Sequence, residues 1–130
     1  MTDLLIGKGY IMTNKYILTK FGTDASILLG ELCSEYAYWF NEKRLLNDYF
    51  FSTRNNLLKN TGLTKYKQRK ASKTLMEAGL ILEEPRGVLP TLLWYKININ
   101  KLYEMIHKEE KEPLHLGMKK LKAKAKEILA

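Results

Sequence analysis

Two short helical segments joined by a glycine turn place the tightest constraint on how this chain folds. Thr53 and Thr64 each precede a segment with helical character, where a side-chain hydroxyl can accept hydrogen bonds from the free backbone N–H groups. Gly62 interrupts the first segment, and Gly79 follows the second, at the position where glycine commonly ends a helix. The sequence therefore predicts a short helix, a tight turn and a longer helix, which is the helix-turn-helix pattern.

The flanking sequence adds a long helix on one side and a hairpin on the other. Asp24 is a good N-cap for the long helix, whose apolar residues recur at three- and four-residue steps. The turn signal Pro85-Arg86-Gly87 separates two segments of strand character. The predicted elements are helices over about residues 25–43, 54–60 and 65–78, a fourth helix capped by Asn98 or Asn100 that runs to about Lys108, and strands over about residues 49–51, 80–84 and 91–98. An earlier stretch is ambiguous: residues 10–12 resemble a strand, and Thr13 or Asn14 could cap a single helical turn.

The order of these elements is typical of a winged-helix domain. We expect an α+β fold in which a winged helix-turn-helix domain occupies residues 1–112 and a basic helical tail occupies residues 113–130. Apolar residues of the tail recur at alternating steps of four and three, which resembles a dimerisation seam. Two interpretations lead: the tail packs on its own domain, or it forms a homodimer. Contact with a membrane surface ranks third, because the tail lacks aromatic anchors. The residues concerned are Leu114, Met118, Leu121, Ala125 and Ile128.

Composition argues against several classes of function. The chain has 130 residues and is 45% hydrophobic, so it can bury a core, but no apolar run approaches the ~20 residues that span a membrane. Cys33 is the single cysteine, and neither it nor His107 and His115 has metal-ligand neighbours at a suitable spacing. Nucleophile–base signatures and phosphate-binding loops are also missing from the sequence. We therefore expect a cytoplasmic protein that is not an enzyme and that uses no metal or cofactor.

Positive charge is concentrated in the helix-turn-helix region. The net charge of the chain is +8, and the stretch from Tyr49 to Met76 contains no Asp or Glu. Like charges three or four residues apart slightly destabilise a helix, so this pattern indicates an anionic partner outside the fold. The basic residues of the stretch are Arg54, Lys59, Lys65, Lys67, Arg69, Lys70 and Lys73.

A helical wheel divides the second helix of the pair into an inner and an outer face. Advancing about 100° per residue places Gln68 and Leu75 on the inner side. The outer side carries Lys65, Tyr66, Arg69, Lys70 and Lys73. We predict that this outer side binds double-stranded DNA, with an arginine reading a base edge and lysines holding phosphates.

The full set of predicted DNA contacts extends beyond that helix face. Arg86 stands beside Gly87 at the tip of the predicted hairpin, where an arginine can enter a minor groove or hold a phosphate. An ordinary exposed turn arginine is an equally open interpretation of that residue. The predicted contacts are Arg54, Lys59, Lys65, Tyr66, Lys67, Arg69, Lys70, Lys73 and Arg86.

Several short runs between Ile27 and Leu102 resemble the winged-helix domains of phage and plasmid replication proteins of low-GC Gram-positive bacteria. The runs are Phe51-Ser52-Thr53-Arg54-Asn55-Asn56-Leu57, Thr61-Gly62-Leu63-Thr64, Gln68-Arg69-Lys70-Ala71, Leu75-Met76-Glu77-Ala78-Gly79-Leu80-Ile81 and Trp94-Tyr95-Lys96-Ile97-Asn98. The resemblance implies a replication initiator or replisome organiser, with replisome proteins as further partners. Winged helices also serve as transcription regulators and as protein-interaction modules, so both remain alternatives.

Overall fold

Five helices and a three-stranded antiparallel sheet make up residues 9–88 and 90–107, the part of the chain that this computed structural model describes. The helices are α1 (Lys15–Phe21), α2 (Thr23–Asn41), α3 (Arg54–Thr61), α4 (Lys65–Glu77) and α5 (residues 99–107), and the strands are β1 (Phe50–Ser52), β2 (Ile81–Arg86) and β3 (Leu92–Ile97). The α+β class and the order of elements from α2 to β3 agree with the prediction. None of the helices in this part combines the length and apolarity needed to cross a membrane. The predicted tail over residues 113–130 lies outside the described residues.

Polar side chains begin four of the helices, and in α5 it is Asn98 whose Oδ1 accepts a hydrogen bond from the N–H of Lys101 over 3.1 Å. Asn14, Thr53 and Thr64 accept hydrogen bonds from backbone N–H groups in the first turns of α1, α3 and α4. Gly62 ends α3 with a left-handed φ of +76°, which glycine adopts at little cost. The chain therefore turns sharply and enters α4 after only two further residues.

Residues 10–12, which the sequence left ambiguous, form no strand. This segment crosses α2 closely at Gly30, where an added Cβ would lie 2.5 Å from the carbonyl oxygen of Met12. One prediction at the N-terminal side was wrong. Asp24 is not the N-cap of α2, since Gly22, with a φ of +90°, links α1 directly to a helix that starts at Thr23. Asp24 instead lies in the first turn, where a negative charge interacts favourably with the helix dipole.

The apolar core lies between the sheet and the helices. β3 is the central strand, and its alternate residues Leu93, Tyr95 and Ile97 are buried. α2 packs against β3 and α4, and α4 packs against β2. Leu32 of α2 and Leu75 of α4 are both fully buried in this layer. The packing fixes one face of α4 against the core and leaves the other face to solvent.

Candidate nucleic-acid interface

The outward side of α4 is an exposed surface rich in cations. Its residues, which we call the basic face of α4, are Lys65, Tyr66, Arg69, Lys70 and Lys73, and all five are exposed. On the opposite side of the helix, Gln68 and Ser72 are fully buried. The two ion pairs within the described residues involve Arg54 and Arg86, so the cations of this face are not neutralised by such pairs. Lys67 is also exposed, but it lies away from Arg69, on the side of α4 that faces the junction of α1 and α2.

A groove of about 660 Å³ separates α4 from the β2–β3 hairpin. Lys65 and Arg69 line its α4 side, and Thr91 lines its hairpin side. Asn55, in the first turn of α3, contributes a further polar side chain. The groove thus combines two cations with hydrogen-bonding groups, which suits a phosphate backbone. Sequence reasoning missed Asn55 and Thr91, because nothing in their local sequence shows that α3 and the hairpin border the same groove.

Arg54 borders the groove, but its guanidinium bonds inward. Its Nη2 donates to Oε1 of Glu83 over 2.9 Å, and its Nη1 lies 3.4 Å from Oε1 of Gln68. The Arg54 side chain is 19% exposed and that of Glu83 is 9% exposed. The structure therefore separates Arg54 from the outward-pointing cations with which the sequence grouped it.

Arg86 is not at the hairpin tip, and the prediction that placed it there was wrong. It is the last residue of β2 and pairs with Leu92, because antiparallel pairing continues further along the hairpin than the sequence suggested. Its guanidinium carbon lies 4.9 Å from the ring centroid of Trp94, a cation–π contact, and Nη2 donates to Glu84 over 3.0 Å. Neighbours of Trp94 along β3 are buried, so Trp94 and Arg86 occupy the outer face of the sheet. The structure does not bring Arg86 together with the basic face of α4.

Lys59 lies on α3 and is exposed. It follows Asn55 by four residues, so the two side chains share one face of that helix. Because Asn55 lines the groove, Lys59 extends the cationic surface one helical turn away from it. The structure thus places Lys59 in a flanking position relative to α4.

Between α2 and α3, a partly buried carboxyl group faces an asparagine. Nδ2 of Asn56 donates to Oε1 of Glu35 over 3.3 Å, whereas Oε2 has no hydrogen-bond partner among the residues described. Burial and, to a smaller extent, the nearby charge of Glu31 together raise the pKa of Glu35 to about 7. Glu35 is therefore a titratable group in the packing that supports the helix pair.

Two solved structures share this arrangement of elements. A Rep–DNA complex matches with a TM-score of 0.54 at 19% identity, over 73% of this chain and 85% of the other chain. The N-terminal domain of a DNA-binding protein matches with a TM-score of 0.54 at 18% identity, over 79% of this chain and 86% of the other chain. No family model and no curated protein matches the chain. At these identities the likeness is one of fold, and the chain shares that fold with a Rep protein solved on DNA and with a domain of a DNA-binding protein.

Proposed function

We propose that this chain is a winged-helix protein that binds specific sequences of double-stranded DNA through α4. The observation that carries the proposal is the division of α4 into a buried face and an exposed face with four cations, where the single carboxylate, Glu77, comes only in the last turn. A helix of this kind fits the major groove, where its outward residues reach base edges. The fold shared with a Rep–DNA complex supports the same function.

Each residue of the basic face has a proposed role. Arg69 reads a base edge, because a guanidinium can form two hydrogen bonds with guanine. The lysines bind phosphates and set the register of the helix, while Tyr66 contacts a thymine methyl group or a phosphate. Thr91, across the groove from Arg69, binds the adjacent backbone through its hydroxyl.

The biological setting that we propose is replication initiation or organisation in a phage or plasmid. This setting is supported by the resemblance of sequence and by the shared fold with a Rep–DNA complex. A transcription regulator of a mobile element would use the same surface and the same chemistry. Mapping the bound sites separates the two, since an array of repeats at an origin differs from one operator that overlaps a promoter.

Homodimerisation and replisome contacts are also proposed, and they rest on sequence alone. The apolar spacing after Pro113 is the reason to expect a homodimer, which would suit paired half-sites in DNA. Sedimentation of the full chain and of a chain ending at residue 112 tests this point. Equal oligomeric states for the two chains would contradict it.

The proposed DNA binding is tested by measuring affinity for duplex DNA across a series of salt concentrations. If about five cations bind phosphates, log K falls with log salt with a slope of about −4 to −5, at about 0.9 per phosphate. Lys15→Ala serves as the control, because Lys15 is an exposed cation on α1, outside the proposed surface. A flat salt response, or no binding to any duplex at low salt, would overturn the proposal and favour a protein-interaction module.

A further inference from the structure

The carboxylate of Glu83 joins three different elements of the fold. Arg54 at the start of α3 donates to Oε1 over 2.9 Å, while Ser72 of α4 and Tyr95 of β3 donate to Oε2 over 2.6 Å and 2.7 Å. Burial, and next the negative charge of Glu83, raises the pKa of Tyr95, so its phenol keeps the proton that it donates. Hydrogen bonds to an ionised group are stronger than those between neutral groups. Glu83 therefore holds β2 firmly to α3, α4 and β3.

Gln68, one helical turn before Ser72, is a second polar residue that holds α4 in place. Nε2 of Gln68 donates to the backbone oxygens of Arg54 and Leu63, each over 2.9 Å. Oε1 of Gln68 also lies 3.4 Å from Nη1 of Arg54. Gln68 and Ser72 are four residues apart, so they lie on the same side of α4, and both are fully buried. One side of this helix is thus held at two points by hydrogen bonds.

These bonds restrict α4 in a way that apolar packing does not. Apolar contact is not directional, so a helix seated on leucines alone can rotate or slide slightly without losing much burial. Hydrogen bonds weaken steeply when they bend, and a buried polar group left without a partner costs free energy. The network around Glu83 consequently favours one rotation of α4 about its axis.

The network also connects the two sides of the groove. Arg69 and Lys73 directly follow Gln68 and Ser72, so the rotation that the buried residues impose decides where the two cations point. Glu83 lies on β2, two residues before Pro85, which lines the hairpin side of the groove. We propose that Glu83 is a positioning residue that fixes α4 relative to the hairpin and thereby sets discrimination between DNA sequences. This inference rests on the DNA-binding function proposed above.

A pair of buried serines provides the test. Ser72→Ala removes the bond from α4 to Glu83, and Oε2 of Glu83 keeps its bond from Tyr95. Ser26→Ala is the matched control, because Ser26 is 1% exposed on α2 and its hydroxyl has no hydrogen-bond partner among the residues described. Affinities are measured for a selected duplex and for single-base changes of it, well below the melting temperature of every variant. The quantity compared is the affinity for the selected duplex divided by the affinity for an altered duplex. We expect Ser72→Ala to lower this ratio about fivefold or more, and Ser26→Ala to change it less than about twofold.

Glu83→Gln and the wild type distinguish a positioning role from a purely structural one. Glu83→Gln keeps the shape of the side chain but removes its charge, and it should lower the same ratio at least as much as Ser72→Ala does. Lower melting temperatures for both variants with unchanged ratios would show a merely structural role and overturn the inference, although wild-type DNA binding would stand. A wild-type chain that binds no duplex would overturn the proposed function itself, and this inference with it.

Discussion

The guanidinium of Arg54 lies 2.9 Å from the carboxylate of Glu83, and both side chains are largely buried. In sequence, Arg54 belongs to the same acid-free stretch as Lys65, yet only Lys65 is exposed on the basic face. Arg54→Ala should lower the free energy of unfolding by about 3 kcal/mol, because removal of one partner leaves the other charge buried and uncompensated. Urea unfolding measures this loss.

The matched control for that measurement is Lys65→Ala. Lys65 is exposed, and its truncation should change the free energy of unfolding by less than about 0.5 kcal/mol. If Arg54→Ala kept its stability and lost only DNA affinity, then the guanidinium would be a DNA contact, as the sequence predicted.

Leu75 and Lys73 lie two residues apart on α4 and should respond differently to truncation. Leu75 is fully buried, so Leu75→Ala should lower the free energy of unfolding by about 2–5 kcal/mol. Lys73 is exposed on the basic face, so Lys73→Ala should leave the melting temperature nearly unchanged while weakening DNA binding. Thermal unfolding and duplex titration of both variants check the difference. An unfolded Lys73→Ala protein would contradict the orientation of α4.

Arg69 should govern discrimination between sequences. It is exposed near the middle of α4 and lines the groove, so its guanidinium can reach a base edge. Arg69→Ala should relax discrimination at one base pair by about 1–3 kcal/mol. The measurement compares the affinities of the variant for the selected site and for each single-base change.

Lys59 provides the contrast to Arg69, because it lies on the supporting helix α3. Lys59→Ala should weaken all sequences alike and reduce the salt slope by about one unit, as the loss of one phosphate contact does. If Arg69→Ala also weakened selected and altered sites equally, Arg69 would be a further phosphate contact. Base readout would then belong to Tyr66, Lys65 or the hairpin.

Glu35 should make stability depend on pH. Its pKa is raised from 4.5 to about 7 in the folded state, so the folded protein binds this proton more tightly than the unfolded chain does. Stability should therefore fall as pH rises from about 4.5 to 7 and then level off, by roughly 3 kcal/mol in all at 1.36 kcal/mol per pKa unit. Glu35→Gln should remove this dependence and make the protein more stable than the wild type at pH 8.

Denaturant unfolding at pH 5 and at pH 8 measures the effect of Glu35. Glu42→Gln is the control, because Glu42 is an exposed acid just after α2 and should leave the wild-type pH dependence in place. If the stability of Glu35→Gln fell between these pH values as much as that of the wild type, another group would be responsible for the pH dependence.

Local patterns in the sequence were sufficient to predict the helix pair and the orientation of α4. The caps Thr53 and Thr64 act within three residues of themselves, and the 3.6-residue period alone turns Gln68 inward. Such features depend on neighbours in the chain, so they can be derived without knowledge of the tertiary fold.

Features that depend on distant partners could not be predicted in this way. Glu83 lies 29 residues from Arg54 and 11 from Ser72, and its role appears only when β2 packs against α4. Arg86 was misplaced for the same reason, since its position follows from how far β2 pairs with β3 and from its contact with Trp94. The local sequence of Arg86 showed only a turn signal.

The central strand of the sheet, β3, is also the last of the three strands in the sequence. Both β1 and β2 pair with β3 and not with each other, so neither can be paired before residues 92–97 have been synthesised. A nascent chain can complete α4 and all of its cations well before that point. A polypeptide that stops short of Leu92 would carry those cations with β1 and β2 as unpaired edges, a state that favours aggregation. The ribosome must therefore have added Ile97 before the sheet that packs against α4 can form.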